Sequence, residues 1–137
     1  KLPVDGPMAS YEVLKDLRGN QLEIIVKFDL LHAAFCGINV LSDADGKGGL
    51  FISWSGNMLN VDGVMVPMEE WKPGEVLELQ VFVDKKFVEV FVNGGRYCIT
   101  RQLRETDVKG DHVALTSLGG TAIMCSLQAW KLRNIEQ

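Results

Sequence analysis

The sequence predicts an all-β chain, folded as a two-layer antiparallel β-sandwich, and three observations carry the prediction. Apolar and polar residues alternate with period two over several short runs, the pattern of half-buried strands. Turn signals built on Gly, Asn and Asp separate these runs at roughly the 8–12-residue spacing of sandwiches and barrels. No stretch carries the 3.6-residue period of an amphipathic helix. Several strands are apolar on both faces, which favours two stacked sheets over a barrel.

The elements follow in chain order. Lys1–Met8 holds Pro3, Gly6 and Pro7 and reads as a linker, so residues 1–9 are set apart from a sandwich domain over residues 10–137. Ala9–Lys15 is the first expected strand, and Asp16–Asn20 a turn around Gly19. Gln21–Leu30 alternates Leu22, Ile24, Val26 and Phe28 against Glu23, Ile25, Lys27 and Asp29. Phe35–Leu41 is a strand in which Gly37 marks a bulge or a close approach by another backbone. Ser42–Gly49 (SDADGKGG) is a turn cluster. It opens like a calcium loop but lacks the third acidic position and the distal Glu, so no metal site is read there. Leu50–Trp54 is a short strand. Met58–Val61 and Val64–Met68 flank Asp62-Gly63, a hairpin signal because both central positions of a type I′ turn need positive φ. Glu69–Gly74 is a loop carrying Trp71.

Val76–Thr100 is the best-defined stretch. Leu77, Leu79, Val81 and Val83 alternate with Glu78, Gln80 and Phe82; Asp84-Lys85-Lys86 breaks the run. Val88, Val90 and Val92 alternate with Phe87, Glu89 and Phe91. Asn93-Gly94 is a second hairpin signal, and Tyr97 and Ile99 open a third strand. The three strands form a meander expected at the centre of a sheet. Its aliphatic face suits an inter-sheet core, expected to be built from Leu22, Ile24 and Val26 of the Gln21–Leu30 strand together with Leu79, Val81, Val88, Val90 and Val92. Its other face mixes three Phe with carboxylate and amide groups, the composition of a contact surface or of rings covered by a neighbouring segment. Gln102–Gly110 is a connection with room for one helical turn. His112–Ser117 and Ala122–Leu132 are the last strands, split by Gly119-Gly120.

The 137 residues make one domain, large enough to bury roughly two-thirds of its unfolded surface. A net charge of −4, with no basic patch, argues against a nucleic-acid partner. No run reaches the roughly 18 apolar residues of a membrane helix. Cys36, Cys98 and Cys125 are odd in number, lie in apolar runs and are widely spaced; they are expected to be buried free thiols without a zinc ion. The chain does not begin with Met, which suggests an excised domain.

Catalytic signals are weak. His32 and His112, the two histidines, sit away from any Gly-x-Ser-x-Gly, and no zinc-helix, phosphate-loop or Cys-x-x-Cys motif occurs. Glu69 with Glu70, and Asp84 with Glu89, are the nearest approaches to an acid pair, and ordinary loop and strand roles account for them. The chain is therefore expected not to be an enzyme by itself and to need no cofactor. A sugar site is sought instead in Asp84, Glu89, Asn93 and Arg96, with Trp54 or Trp71 as a stacking partner. Carboxylates and guanidinium groups match vicinal hydroxyls two bonds at a time. The competing expectation is that Glu89 pairs with Arg96 or Arg101 on the adjacent strand. Trp130 is assigned to the core.

The run LELQVFVDKKFVEVFVNGGRYCITRQL resembles the C-terminal β-sandwich of glycoside hydrolase family 32, the invertases, inulinases and levanases. Asp84, Val88, Glu89, Val90, Phe91, Asn93, Gly95, Arg96, Thr100 and Arg101 match the family pattern. LEIIVKFDL, FCGINVLSDADGKGG, LNVDG and SLQAWKL fit as well, so the likeness extends over residues 10–132. Lys85-Lys86 stands where the family usually has Arg-Ser, so a contact made by that Arg is in doubt. The resemblance implies a concanavalin A-like, jelly-roll type sandwich that accompanies a catalytic β-propeller of the same parent chain. The propeller's Asn-Asp-Pro-Asn, Arg-Asp-Pro and Glu-Cys landmarks do not occur in this sequence. It implies an accessory domain of a fructan- or sucrose-cleaving enzyme. A fructan-binding module and a stand-alone lectin-like protein are the alternatives.

Overall fold

The computed structural model describes residues 2–4, 10–29, 34–69, 72, 74–118 and 122–132. Its strands are β1 (Leu2–Val4), β2 (Ser10–Arg18), β3 (Leu22–Asp29), β4 (Phe35–Ser42), β5 (Leu50–Ser55), β6 (Met58–Val61), β7 (Val64–Pro67), β8 (Leu77–Val83), β9 (Phe87–Val92), β10 (Tyr97–Gln102), β11 (His112–Leu118) and β12 (Ala122–Lys131). A 3₁₀ turn, Glu105–Asp107, is the helical turn of the connection after β10. Two six-stranded antiparallel sheets form the sandwich: the first in the order β1-β12-β3-β8-β9-β10, the second β2-β11-β4-β5-β6-β7. The segment read as a linker adds a strand, because Leu2–Val4 pairs with Ala122–Met124. The meander β8-β9-β10 occupies one flank of the first sheet with β10 at the edge, not its centre, because β3 and β12 complete the sheet on the other side of β8.

The core lies where the alternation puts it. Leu22, Ile24, Val26 and Phe28 of β3, the four aliphatic residues of β8, and Val88, Val90 and Val92 of β9 are all buried. They face Ile38, Val40, Leu50, Ile52, Leu59, Val61, Val113 and Leu115 of the second sheet. Cys36 belongs to this core, and burial pushes its thiol up to about 12, so it stays protonated at neutral pH. Cys98 is exposed, correcting the expectation of three buried thiols: it lies opposite Phe91, on the outward phase of β10. Gly37 is a close-approach point, since a Cβ there would sit 2.1 Å from the Ile52 carbonyl oxygen.

The two hairpin signals fold differently. Asp62 and Gly63, with φ of 44° and 99°, make the two-residue turn expected between Val61 and its partner Val64. Asn93-Gly94 instead opens a four-residue loop, because Val92 pairs with Tyr97. Positive φ runs through Asn93, Gly94 and Gly95. The Asn93 side chain explains the longer loop. Its Oδ1 accepts the Glu78 N–H at 2.8 Å and its Nδ2 donates to the Val76 carbonyl at 2.9 Å. The Asn93 N–H also donates to the Glu78 carbonyl. Asn93 thus clamps the start of β8.

At the β7–β10 side the sheets are joined by ions. Arg101 follows outward Thr100, so the strand period turns it inward, where it is 7% exposed. Its guanidinium donates to Asp62 Oδ2 at 2.9 Å in the β6–β7 hairpin, and to Asp107 Oδ2 at 3.1 Å and Oδ1 at 3.2 Å. The Arg104 N–H donates to Asp107 at 2.7 Å. Burial alone would raise the Asp107 carboxyl, but the Arg104 amide and the Arg101 and Arg104 guanidinium groups outweigh it and hold the group below the ordinary carboxylate value.

Two stability measurements follow from these clamps. Arg101→Met leaves Asp107 buried without its buried guanidinium partner, and urea titration is expected to show a loss of about 3–5 kcal/mol. Because the folded Asp107 pKa is depressed, its contribution is fully present above the unfolded value near 4 and disappears as pH falls below it through the folded pKa. The acid limb of a Tm-against-pH curve is therefore steeper in the parent than in Arg101→Met. Asn93→Gly accepts the positive φ but removes both side-chain bonds, and is expected to cost about 1–3 kcal/mol. Unchanged urea midpoints in either variant contradict the corresponding clamp.

Candidate functional site on the outer face of the first sheet

The residues that the core rejects line up outside. Register places Trp130, Glu23, Phe82, Glu89 and Thr100 side by side across β12, β3, β8, β9 and β10. At the ~4.8 Å spacing between strands this row spans roughly 19 Å. The next row is Gln128, Ile25, Gln80, Phe91 and Cys98. Phe82 and Phe91 meet edge to face with ring centroids 5.9 Å apart. Gln80 Nε2 donates to Glu23 Oε2 at 2.9 Å. Phe87 and Trp130 remain 37% and 47% exposed. Trp130 is thus not a core residue: Leu127 and Ala129 take the inward phase of β12, and Trp130 shares the outward phase with Ser126 and Gln128.

A cleft of about 390 Å³ lies at one end of this face, lined by Lys27, Val76, Glu78, Asn93 and Arg96. Lys27 and Glu78 sit opposite each other on β3 and β8, with Nζ 3.5 Å from the carboxylate. Arg96 Nη1 donates to both carboxylate oxygens of Glu75, at 3.2 and 3.0 Å. The Lys72 amide holds the Glu75 carboxyl below its ordinary value; burial opposes it, and the Arg96 guanidinium adds to the lowering. Val76 is an exposed apolar side chain among these charges.

The residues singled out from sequence do not share one site. Asn93 and Arg96 line the cleft together. Asp84 lies at the far end of β8, in the turn to β9, where its Oδ1 accepts the Lys85 N–H at 2.6 Å. Glu89 lies between them on the outer face and accepts a hydrogen bond from Thr100 Oγ1 at 3.3 Å. Neither Arg96 nor Arg101 pairs with it, because Arg101 points inward and Arg96 is held by Glu75 in the loop. Trp54 belongs to the core cluster and is 9% exposed. Trp71 lies outside the described residues, as does His32. Lys27, Glu75, Val76 and Glu78 were missed. The pairing of Lys27 with Glu78 requires β3 to neighbour β8, which strand periodicity alone does not specify.

A second cleft, about 470 Å³, opens at the opposite end between Arg18, Gly19, Asn20, Gln21, Asp111, Lys131 and Leu132. Arg18 donates through Nε and Nη2 to one oxygen of Asp111, at 3.0 and 2.9 Å, and this bond lowers the Asp111 carboxyl. It ties the end of β2 to the start of β11 and contains no residue picked from sequence. Among the described residues no group of three or more His, Cys, Asp or Glu is placed to hold a metal ion.

Comparison with known proteins adds the family. A search of curated protein sequences returned no significant match. Solved structures do match in fold. Exo-inulinase from Aspergillus awamori superposes with a TM-score of 0.65 at 20% identity, over 88% of this chain. Fructan 1-exohydrolase IIa from Cichorium intybus gives 0.69 at 15% identity, over 98% of this chain. The carbohydrate-binding module CBM66 from Bacillus subtilis gives 0.75 at 10% identity, over 93% of this chain and 84% of that one. The chain spans only 28% of the exo-inulinase and 36% of the exohydrolase. The profile described as "Glycosyl hydrolases family 32 C terminal" matches residues 7–131, nearly the whole chain, and the protein accordingly belongs to that family.

Proposed function

We propose that this chain is the non-catalytic accessory β-sandwich of a fructan- or sucrose-cleaving glycoside hydrolase, and that it packs on a catalytic domain of the same parent protein. The observation that carries this reading is the family match over residues 7–131, in a fold that fills only about a third of the enzymes it resembles. The ionisable groups agree with it. Paired-carboxylate glycoside cleavage needs one acid with a raised pKa. Among the described residues, the carboxylates whose pKa departs clearly from its ordinary value (Glu75, Asp107 and Asp111) are all lowered instead. The mixed outer face of the first sheet, with Phe87 and Trp130 exposed, has the aromatic and polar composition of a contact surface.

A second reading, a carbohydrate-binding module that holds a fructan end, is favoured by the likeness to CBM66, which this fold matches over nearly its full extent.

The test compares the full-length parent protein with a form lacking this sandwich, alongside the isolated sandwich. The deletion is expected to lower the Tm of the catalytic domain by several degrees, while the isolated sandwich releases no reducing sugar from sucrose, inulin or levan. An unchanged Tm overturns the packing role. Hydrolysis by the pure sandwich, abolished by a point substitution within it, overturns the non-catalytic one.

A further inference from the structure

We propose that the cleft formed by Lys27, Val76, Glu78 and Arg96, with Glu75 at its rim, is a binding site for the terminal unit of a neutral sugar chain. The inference rests on the carbohydrate-binding reading above and assigns that activity a place.

Charge comes first. Lys27 and Arg96 face Glu75 and Glu78, so the cleft carries two positive and two negative groups and no net charge. A phosphate or a cationic ligand would find as much repulsion as attraction. A polyol needs both donors and acceptors and gains from the mixture. The ion pairs are also easy to open. Their side chains are 28–48% exposed, and ion pairs at such positions are weak because solvent screens them. Hydroxyl groups can insert between the partners at little cost. The guanidinium is incompletely used: its Nη1 holds Glu75, while Nε and Nη2 have no partner among the described residues. That leaves a planar pair of donors for vicinal oxygens.

The second component is shape. Val76 places an exposed aliphatic surface between the charges, suited to the C–H face of a ring. The volume, about 390 Å³, falls within the roughly 300–1,000 Å³ of ligand clefts. Asn93 fixes this geometry without competing for ligand. Its side chain bonds the Val76 carbonyl and the Glu78 amide, the backbone of two lining residues. Asn93 is therefore a positioning residue here. The cleft also opens onto the row of Gln128, Ile25, Gln80 and Phe91 next to it, a path for the rest of a chain.

Binding of levan, levanbiose and fructose to the purified sandwich by calorimetry tests the proposal. Arg96→Met, Lys27→Met and Val76→Ser are compared with Arg18→Ala in the opposite cleft, each verified by an unchanged fold in circular dichroism. Each cleft variant is expected to weaken binding at least tenfold, and Arg18→Ala less than twofold. Should the parent bind while the three cleft variants bind within twofold of it, the cleft assignment is overturned and sugar binding stands. Should the parent bind none of the three ligands, the binding reading falls and the cleft assignment falls with it.

Discussion

The molecule depends on the strict two-residue period of β3, β8 and β9. Their inward set is wholly apolar and every member is buried. Burial of a Val or Leu is worth about 1.5–3 kcal/mol, so a slip of one residue would drive Glu23, Lys27, Glu78 and Glu89 inward and expose the aliphatic set. The register cannot move. Having fixed the core, it also fixes what lies outside: the aromatic, amide and carboxylate residues of the outer rows, and the Lys27–Glu78 pair at their end. The candidate functional face is thus the complement of the core, specified by the same alternation.

Sheet edges need a different device. β7 and β10 are edge strands on the same side of the sandwich, and hydrophobic burial thins towards them. Arg101 closes this side by joining the β6–β7 hairpin to the 3₁₀ turn after β10. A guanidinium serves better than an ammonium, because its planar fork reaches two carboxylates at once. A buried ion network adds little net stability over apolar packing, but losing one member is costly, so its clearest effect is to hold the two sheets in one arrangement. On the outer face the Lys27–Glu78 and Arg96–Glu75 pairs are exposed and weak. The same residue types therefore form a lock inside and only weak surface pairs outside.

Period and turn chemistry were legible in the sequence. The alternation gave all eight named core residues, Asp62-Gly63 gave its hairpin, and Gly37 gave a close backbone approach. What failed depended on partners distant in sequence. Asn93-Gly94 resembles a two-residue turn, but the side chain of Asn93 is recruited by β8, which lengthens the loop. Glu89 was offered two arginines as partners. Its own strand period already turned Arg101 to the other face, and Glu75 captured Arg96. Trp130 was assigned to the core because it alternates with polar neighbours, although Leu127 and Ala129 set the phase that excludes it. The cleft needed strand order, which places β3 beside β8 across some fifty residues, and no local pattern contains that information.

The outer face of the first sheet is the surface proposed to meet the sandwich's partner or ligand. NMR chemical-shift mapping of the domain during titration with levan oligosaccharides or the parent's catalytic domain tests it most directly. Perturbations are expected to concentrate in the outward residues of β3, β8, β9 and β12 and in the loop from Asn93 to Arg96. Perturbations confined to the second sheet, or to the opposite cleft around Arg18 and Asp111, would contradict it.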